Sequence, residues 1–125
     1  MIQLVKTYTA TAAAINARRI VKFDGTTKTL VLQAAAAADA SIGVITEVAA
    51  AASERVDVVL QGVTYVEAGG TFNPGAMLTS DASGRAVAAS PSAGTNNRIV
   101  GIALEESTAA GDLVLLLVNP FSTQG

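Results

Sequence analysis

Along this chain apolar and polar residues alternate with a period of two over short runs, and glycine, asparagine, aspartate and proline interrupt them every few positions. The bulky apolar residues are mostly β-branched and threonine is frequent, as befits pleated, half-buried strands. Arg18-Arg19-Ile20-Val21-Lys22-Phe23 reads as a strand, Asp24-Gly25-Thr26-Thr27 as a turn, and Lys28-Thr29-Leu30-Val31-Leu32 as the hairpin partner. Ser41 to Val48 is the next strand, and a long one follows from Glu54 to Glu67. In the long strand Val56, Val58 and Leu60 share a face, whereas beyond Gly62 the bulky residues Val63 and Tyr65 have the opposite parity. A flip of parity at a glycine predicts a bulge, at which the strand bends and changes sheets. Met77-Leu78-Thr79 and Arg85-Ala86-Val87 form a hairpin around Asp81-Ala82-Ser83-Gly84. Ser90 to Asn97 reads as a surface loop, and Arg98 to Leu104 and Leu113 to Val118 as the last strands. Pro120 is expected to stop the sheet and leave a short tail.

Alanine complicates the pattern without overturning it. Ala34-Ala35-Ala36-Ala37-Ala38 has high helix propensity, but no apolar periodicity flanks it, so it reads as a loop with at most one helical turn.

The two halves of the chain echo each other. Ile42-Gly43-Val44-Ile45-Thr46-Glu47 returns 58 residues later as Val100-Gly101-Ile102-Ala103-Leu104-Glu105, and Val56 and Val58 return as Val114 and Leu116. At an offset of 57, Asn16 meets Asn73, Asp24 meets Asp81, Lys28 meets Arg85 and Leu30 meets Val87. The predicted fold is therefore all-β, a small antiparallel β-barrel or sandwich built from two similar hairpin–hairpin halves over residues 18–118. Residues 1–17 form an extended N-terminal arm, and residues 119–125 form the C-terminal tail.

The arm supplies the first candidate interface residues. Ile2, Leu4 and Tyr8 lie on one face of an extended segment, and too few bulky residues follow them to make a core. Such a segment is expected to lie on a neighbour as an added strand. Arg18 and Arg19 complete the candidate set. On a strand they point to opposite faces, which lets one of them reach a carboxylate on a partner.

Composition then excludes most chemistry. The chain has 125 residues, no His and no Cys, which removes Cys–His and Ser–His–Asp nucleophiles and the usual zinc, haem, iron–sulfur and copper sites. Half the residues are hydrophobic, 25 of them alanine, and only 14% are charged, so the surface is rich in small uncharged residues that suit contact with another protein. A formal charge of −2 with scattered basic residues argues against nucleic acid. The bulkiest apolar run, Leu113 to Val118, is too short to span a membrane, and the N-terminus does not read as a signal peptide.

Candidate motifs have simpler explanations. Glu105 and Glu106 are adjacent on a strand and point apart, which is wrong for an acid/base pair. Asp81-Ala82-Ser83-Gly84 resembles the start of a calcium loop but lacks the glutamate at the twelfth position; an Asx turn accounts for it. Gly69-Gly70 and Asn73-Pro74-Gly75 lack the context of a phosphate loop. Neither Lys6, Lys22 nor Lys28 is spaced to activate a serine. The expectation is a non-enzyme with no cofactor, no metal and no small-molecule substrate.

Several strings taken together resemble a family. They are Ile42-Gly43-Val44, the run from Glu54 to Val63, the run from Gly75 to Val87, Ile99 to Leu104, and Ala109-Ala110-Gly111-Asp112-Leu113-Val114. They resemble the small capsid decoration, or cement, proteins of tailed bacteriophages. The resemblance implies a compact β-barrel of tulip type, often trimeric, located in the virion on the outer surface of the head and clamping subunits of the major capsid protein. It implies no catalytic residue and transfers no contact residue. The alternatives are another virion part, such as a tail or head-fibre adaptor, or a carbohydrate-binding module. The absence of Trp and the presence of only five aromatic residues weaken the last of these.

Overall fold

The computed structural model describes residues 3–25 and 29–125. Ile2 and the turn residues Thr26, Thr27 and Lys28 lie outside the described residues. Among the described residues there is no helix, and the strands are β1 (Gln3–Ala10), β2 (Ile20–Phe23), β3 (Leu30–Gln33), β4 (Ser41–Ile45), β5 (Arg55–Glu67), β6 (Met77–Ser80), β7 (Ala86–Ala88), β8 (Asn96–Ala103) and β9 (Leu113–Gln124).

The sheet order is β1-β3-β2-β4-β5-β9-β8-β6-β7, and β1 also pairs with β5. That second pairing closes β1, β3, β2, β4 and β5 into a five-stranded barrel. Strands β9, β8, β6 and β7 continue the sheet from the far half of β5, and a parallel bridge from Ala68 to Ala86 brings β7 back beside it. Closure removes the exposed edges that an open sheet of short strands would present.

The echo between the halves is a structural duplication. Ile15 bridges Ala50, and 57 residues later Phe72 bridges Ser107. The Arg18 N–H donates to the Thr46 carbonyl at 3.1 Å, and the Gly75 N–H donates to that of Ala103 at 2.7 Å. The Ala10 N–H donates to Glu54 at 2.8 Å, and the Ala68 N–H to Asp112 at 2.7 Å. Gly43 and Gly101 mark the closest approach of strands in each half. A Cβ on Gly43 would collide with the Val59 carbonyl oxygen, and one on Gly101 with that of Leu117.

Two apolar clusters fill the duplicated frame. One contains Tyr8, Ile15, Val21, Val31, Ile45 and Val58, inside the closed barrel. The other contains Val66, Leu78, Val100, Val114, Leu116 and Val118 in the second half. Ile20, Val44 and Val59 face out of the first barrel and join this second cluster, which fastens the halves together.

The structure corrects the sequence reading in four places. The arm is not laid on a neighbour: residues 3–10 form β1, antiparallel to β5 from Gln3 opposite Gly62 to Thr9 opposite Arg55. Its partners lie about fifty residues away along the chain, so local sequence gave no sign of them. The tail is not free either, because β9 stays paired with β8 as far as Gln124 opposite Asn96. Pro120 is accommodated at the irregularity between Ile99 and Gly101, where no ladder hydrogen bond is asked of it. The bulge in β5 falls at Leu60, skipped between the pairs Leu4–Gln61 and Val5–Val59, while Gly62 takes φ +111°. Beyond it Thr64 and Val66 are buried, and Val63 and Tyr65 stand half-buried on the outside. Finally, Arg18 and Arg19 precede β2 instead of lying on it, and Arg18 sits at φ 59° in a turn.

The alanine run forms a turn organised by Asp39, whose carboxylate accepts the Ala35 N–H at 2.8 Å and meets the Lys22 ammonium at 2.9 Å. Partial burial alone would raise the Asp39 pKa, but the Ala35 N–H and Lys22 outweigh it and hold the group below its ordinary 3.8. Asp112 is also lowered, by the N–H and hydroxyl of Thr108. A carboxylate with a depressed folded pKa contributes stability that is complete above its unfolded value and is lost as pH falls through the folded one. The melting temperature is therefore expected to be level above about pH 5 and to fall below about pH 4. Asp39→Asn is expected to flatten that acid limb; an unchanged limb would show that Asp39 plays no part in it.

Candidate partner interface

The candidate residues do not gather into one patch. Leu4 is 57% exposed on β1, opposite Gln61, and borders a shallow groove with Gln3 and Gly62. Tyr8, four residues on, faces inward. It is buried in the first core, and its ring meets that of Phe23 edge-on at 5.5 Å. Tyr8 is thus a core residue, not a contact residue, because the parity that the sequence assigned to one outer face is broken by the bulge next to Leu4 and Val5.

Arg18 and Arg19 are both engaged within the chain. Arg18 donates to Thr64 Oγ1 at 3.1 Å and to Glu47 at 2.9 Å, and its guanidinium lies 5.9 Å from the centre of the Tyr65 ring. Its side chain lines a second groove with Gln3, Thr46, Asp57 and Tyr65. The Glu47 partner is 77% exposed, so the charge of this pair is offered to solvent at the groove mouth.

Arg19 has a structural task. It donates to the Ser83 carbonyl at 2.8 Å and pairs with Glu67 at 3.1 Å, while Arg85 reaches the same Glu67 oxygen at 2.8 Å. The three side chains tie the approach to β2, the end of β5 and the β6–β7 turn into one knot. Glu67→Gln leaves two partly buried guanidinium groups facing a neutral amide, and is expected to lower unfolding free energy by about 1–3 kcal/mol in urea titration. A loss under a few tenths would mean that the arginines are solvated instead of paired.

The Asp81 turn is as expected for an Asx turn. Asp81 Oδ1 accepts the N–H groups of Ser83 at 2.8 Å and Arg85 at 2.9 Å, with Gly84 at φ +73°. Glu105 accepts the Leu115 N–H at 2.8 Å and so caps a strand edge. Among the described residues, no three His, Cys, Asp or Glu side chains are placed to hold a metal ion.

Sequence reasoning missed an apolar outer face on the second half. Met77, Ile102, Leu117 and Val63 lie opposite one another across β6, β8, β9 and β5. The signal was the bulky odd-numbered pair Val63 and Tyr65, which was assigned to a buried face.

A duplicated, tightly closed β-fold with shallow grooves and thinly charged outer faces belongs to the class of proteins that act by surface contact. Residues 2–118 match the family model described as phage cement protein, and the chain belongs to that family. It is thereby a structural protein of phage virions. The fold is similar to that in the crystal structure of the head fiber gp8.5 N base of bacteriophage phi29, with a TM-score of 0.68 and 20% identity over 94% of this chain and 95% of that one. No curated protein matches the chain.

Proposed function

We propose that this protein binds the outer surface of the phage head and cements neighbouring subunits of the major capsid protein, stabilising the mature shell without catalysis. The observation that carries the proposal is the match to phage cement proteins over nearly the whole chain. The physical basis is linkage: a ligand that binds the assembled lattice and not the free subunits stabilises the lattice by RT ln(1 + [L]/Kd). Leu4, exposed on β1, and the Arg18–Glu47 pair at the adjoining groove are the contacts assigned to the shell. The protein acts as a homotrimer, since standard interfaces bury about 800 Å² per partner, an area within reach of a chain this size.

The test is co-sedimentation of the purified protein with mature and immature heads lacking it, followed by heating. Binding to mature heads with a higher temperature of DNA release is expected. A second reading, that of a head-fibre base, is favoured by the fold shared with the phi29 protein. It would be indicated by stoichiometric binding that leaves the release temperature unchanged.

A further inference from the structure

Both halves carry an outward apolar ladder at equivalent positions, but only one ladder is covered. In the first half Ile20 pairs with Val44, and Val44 with Val59. All three are fully buried, because the second half packs over them. The equivalents 57 or 58 residues later are Met77, Ile102 and Leu117, paired in the same order, and Val63 extends the row onto β5. Here Met77 is 37% and Leu117 38% exposed, with Ile102 and Val63 half-buried.

The next row sharpens the contrast. The first half places Thr46, Asp57 and Thr7 there, and Thr7 donates to Asp57 at 2.7 Å. The second half places Leu104, Leu115 and Tyr65 at the equivalent positions. The polar row shows that the repeat folds without apolar side chains at these sites. Their presence in the second half therefore serves something outside the barrel. No charged side chain interrupts either row, and a contiguous exposed apolar face of this kind marks an interaction surface.

We propose that this face is where a second copy of the chain docks. The occupant follows from continuity with the packing inside one copy: a ladder of the same residue types at the same positions is already covered there by another unit of this fold. The small net charge of −2 lets copies approach without strong repulsion. The inference rests on the self-association proposed above and assigns it to the rows headed by Met77 and Leu104, leaving Leu4 and the Arg18 groove for the shell.

The test measures the mass of the full chain by light scattering across a concentration series. Wild type is compared with the double substitution Ile102→Thr and Leu117→Thr, which keeps β-branched strand formers in place. Val48→Asp, 68% exposed and outside both rows, is the control. Wild type and V48D are expected to be oligomers of equal mass, and the double variant to dissociate about 100-fold more readily. Far-UV circular dichroism checks that it remains folded; should it unfold, the single variant Leu117→Thr, expected to dissociate about tenfold more readily, carries the test. A wild type that is monomeric throughout overturns the proposal, as does a folded variant of wild-type mass. A variant that keeps its mass but no longer sediments with heads would give the face to the shell protein, and also overturns it. Wild type that self-associates through these rows yet binds no head supports the inference and removes the cementing function instead.

Discussion

Gly101→Ala is expected to lower unfolding free energy by about 3 kcal/mol or more, roughly a 100-fold shift toward the unfolded state. The added Cβ would strike the Leu117 carbonyl oxygen, and the Leu117 carbonyl carbon and Val118 Cα stand close behind it. All three are backbone atoms of β9, so no side chain can rotate away. Relief requires β8 and β9 to separate where Gly101 pairs with Val118. Gly43→Ala is expected to behave alike, because its Cβ would meet the Val59 carbonyl. Gly70→Ala is the control: its Cβ meets only Val87 Cγ1 at 3.9 Å, an ordinary contact, and the change should stay within about 0.5 kcal/mol. Urea midpoints of the three variants decide the matter. A Gly101→Ala protein as stable as the Gly70→Ala one would show that the strands part without cost.

Deleting the chain up to Thr11 is expected to abolish cooperative folding of the first barrel. Strand β1 is the stave between β3 and β5, and its removal uncovers both edges at once. It also takes away Tyr8 and Ala10, which are buried. Truncation of a buried aromatic alone costs about 3–5 kcal/mol, a large part of the 5–15 kcal/mol that holds an ordinary domain. The milder Tyr8→Ala is expected to show that loss in a two-state melt. Should the truncated protein melt like wild type, β1 would be an accessory strand and its ladder with β5 weak.

Strands β2 to β8 were legible because each announces itself locally, by alternation bounded by turn residues. Asp81 to Gly84 did so through Asx-turn chemistry, and the duplication did so through paired strings such as Ile42-Gly43-Val44 and Val100-Gly101-Ile102. β1 was not legible as part of the barrel because Tyr8 is satisfied by Val56, far along the chain, and a Thr/Ala-rich stretch gives no hint of a distant partner. The run of β9 past Pro120 was hidden for a related reason. Proline forbids a ladder bond at its own position, and a local irregularity in the pairing removes the need for one. Among the candidate contacts, Leu4 was placed on the surface as expected. Tyr8 was not, because a skipped residue in the partner strand moves every side chain beyond it to the opposite face. Arg18 and Arg19 were read on a strand, but their partners Glu47 and Glu67 come from segments that only the tertiary fold brings near.

β5 serves both halves, giving residues up to Gly62 to one and the rest to the other, and this sets a schedule for biosynthesis. β1 leaves the ribosome first but cannot be covered until Arg55 to Gly62 have emerged. At 5–20 residues per second, the pairing of Tyr8 with Val56 waits roughly 2–10 s. During that interval β2, β3 and β4 have already appeared, and the open edges of β1 and β3 are available to other nascent chains. β9, the last strand to emerge, then needs the second part of β5 to be free to receive it, from Gly62 opposite Val118 to Glu67 opposite Leu113. Nearly all the decisive contacts thus join distant parts of the chain, and folding should run on the millisecond-to-second scale of non-local β-proteins. A cell making many copies at once would hold a standing pool of half-closed barrels, each with one strand waiting for its partner.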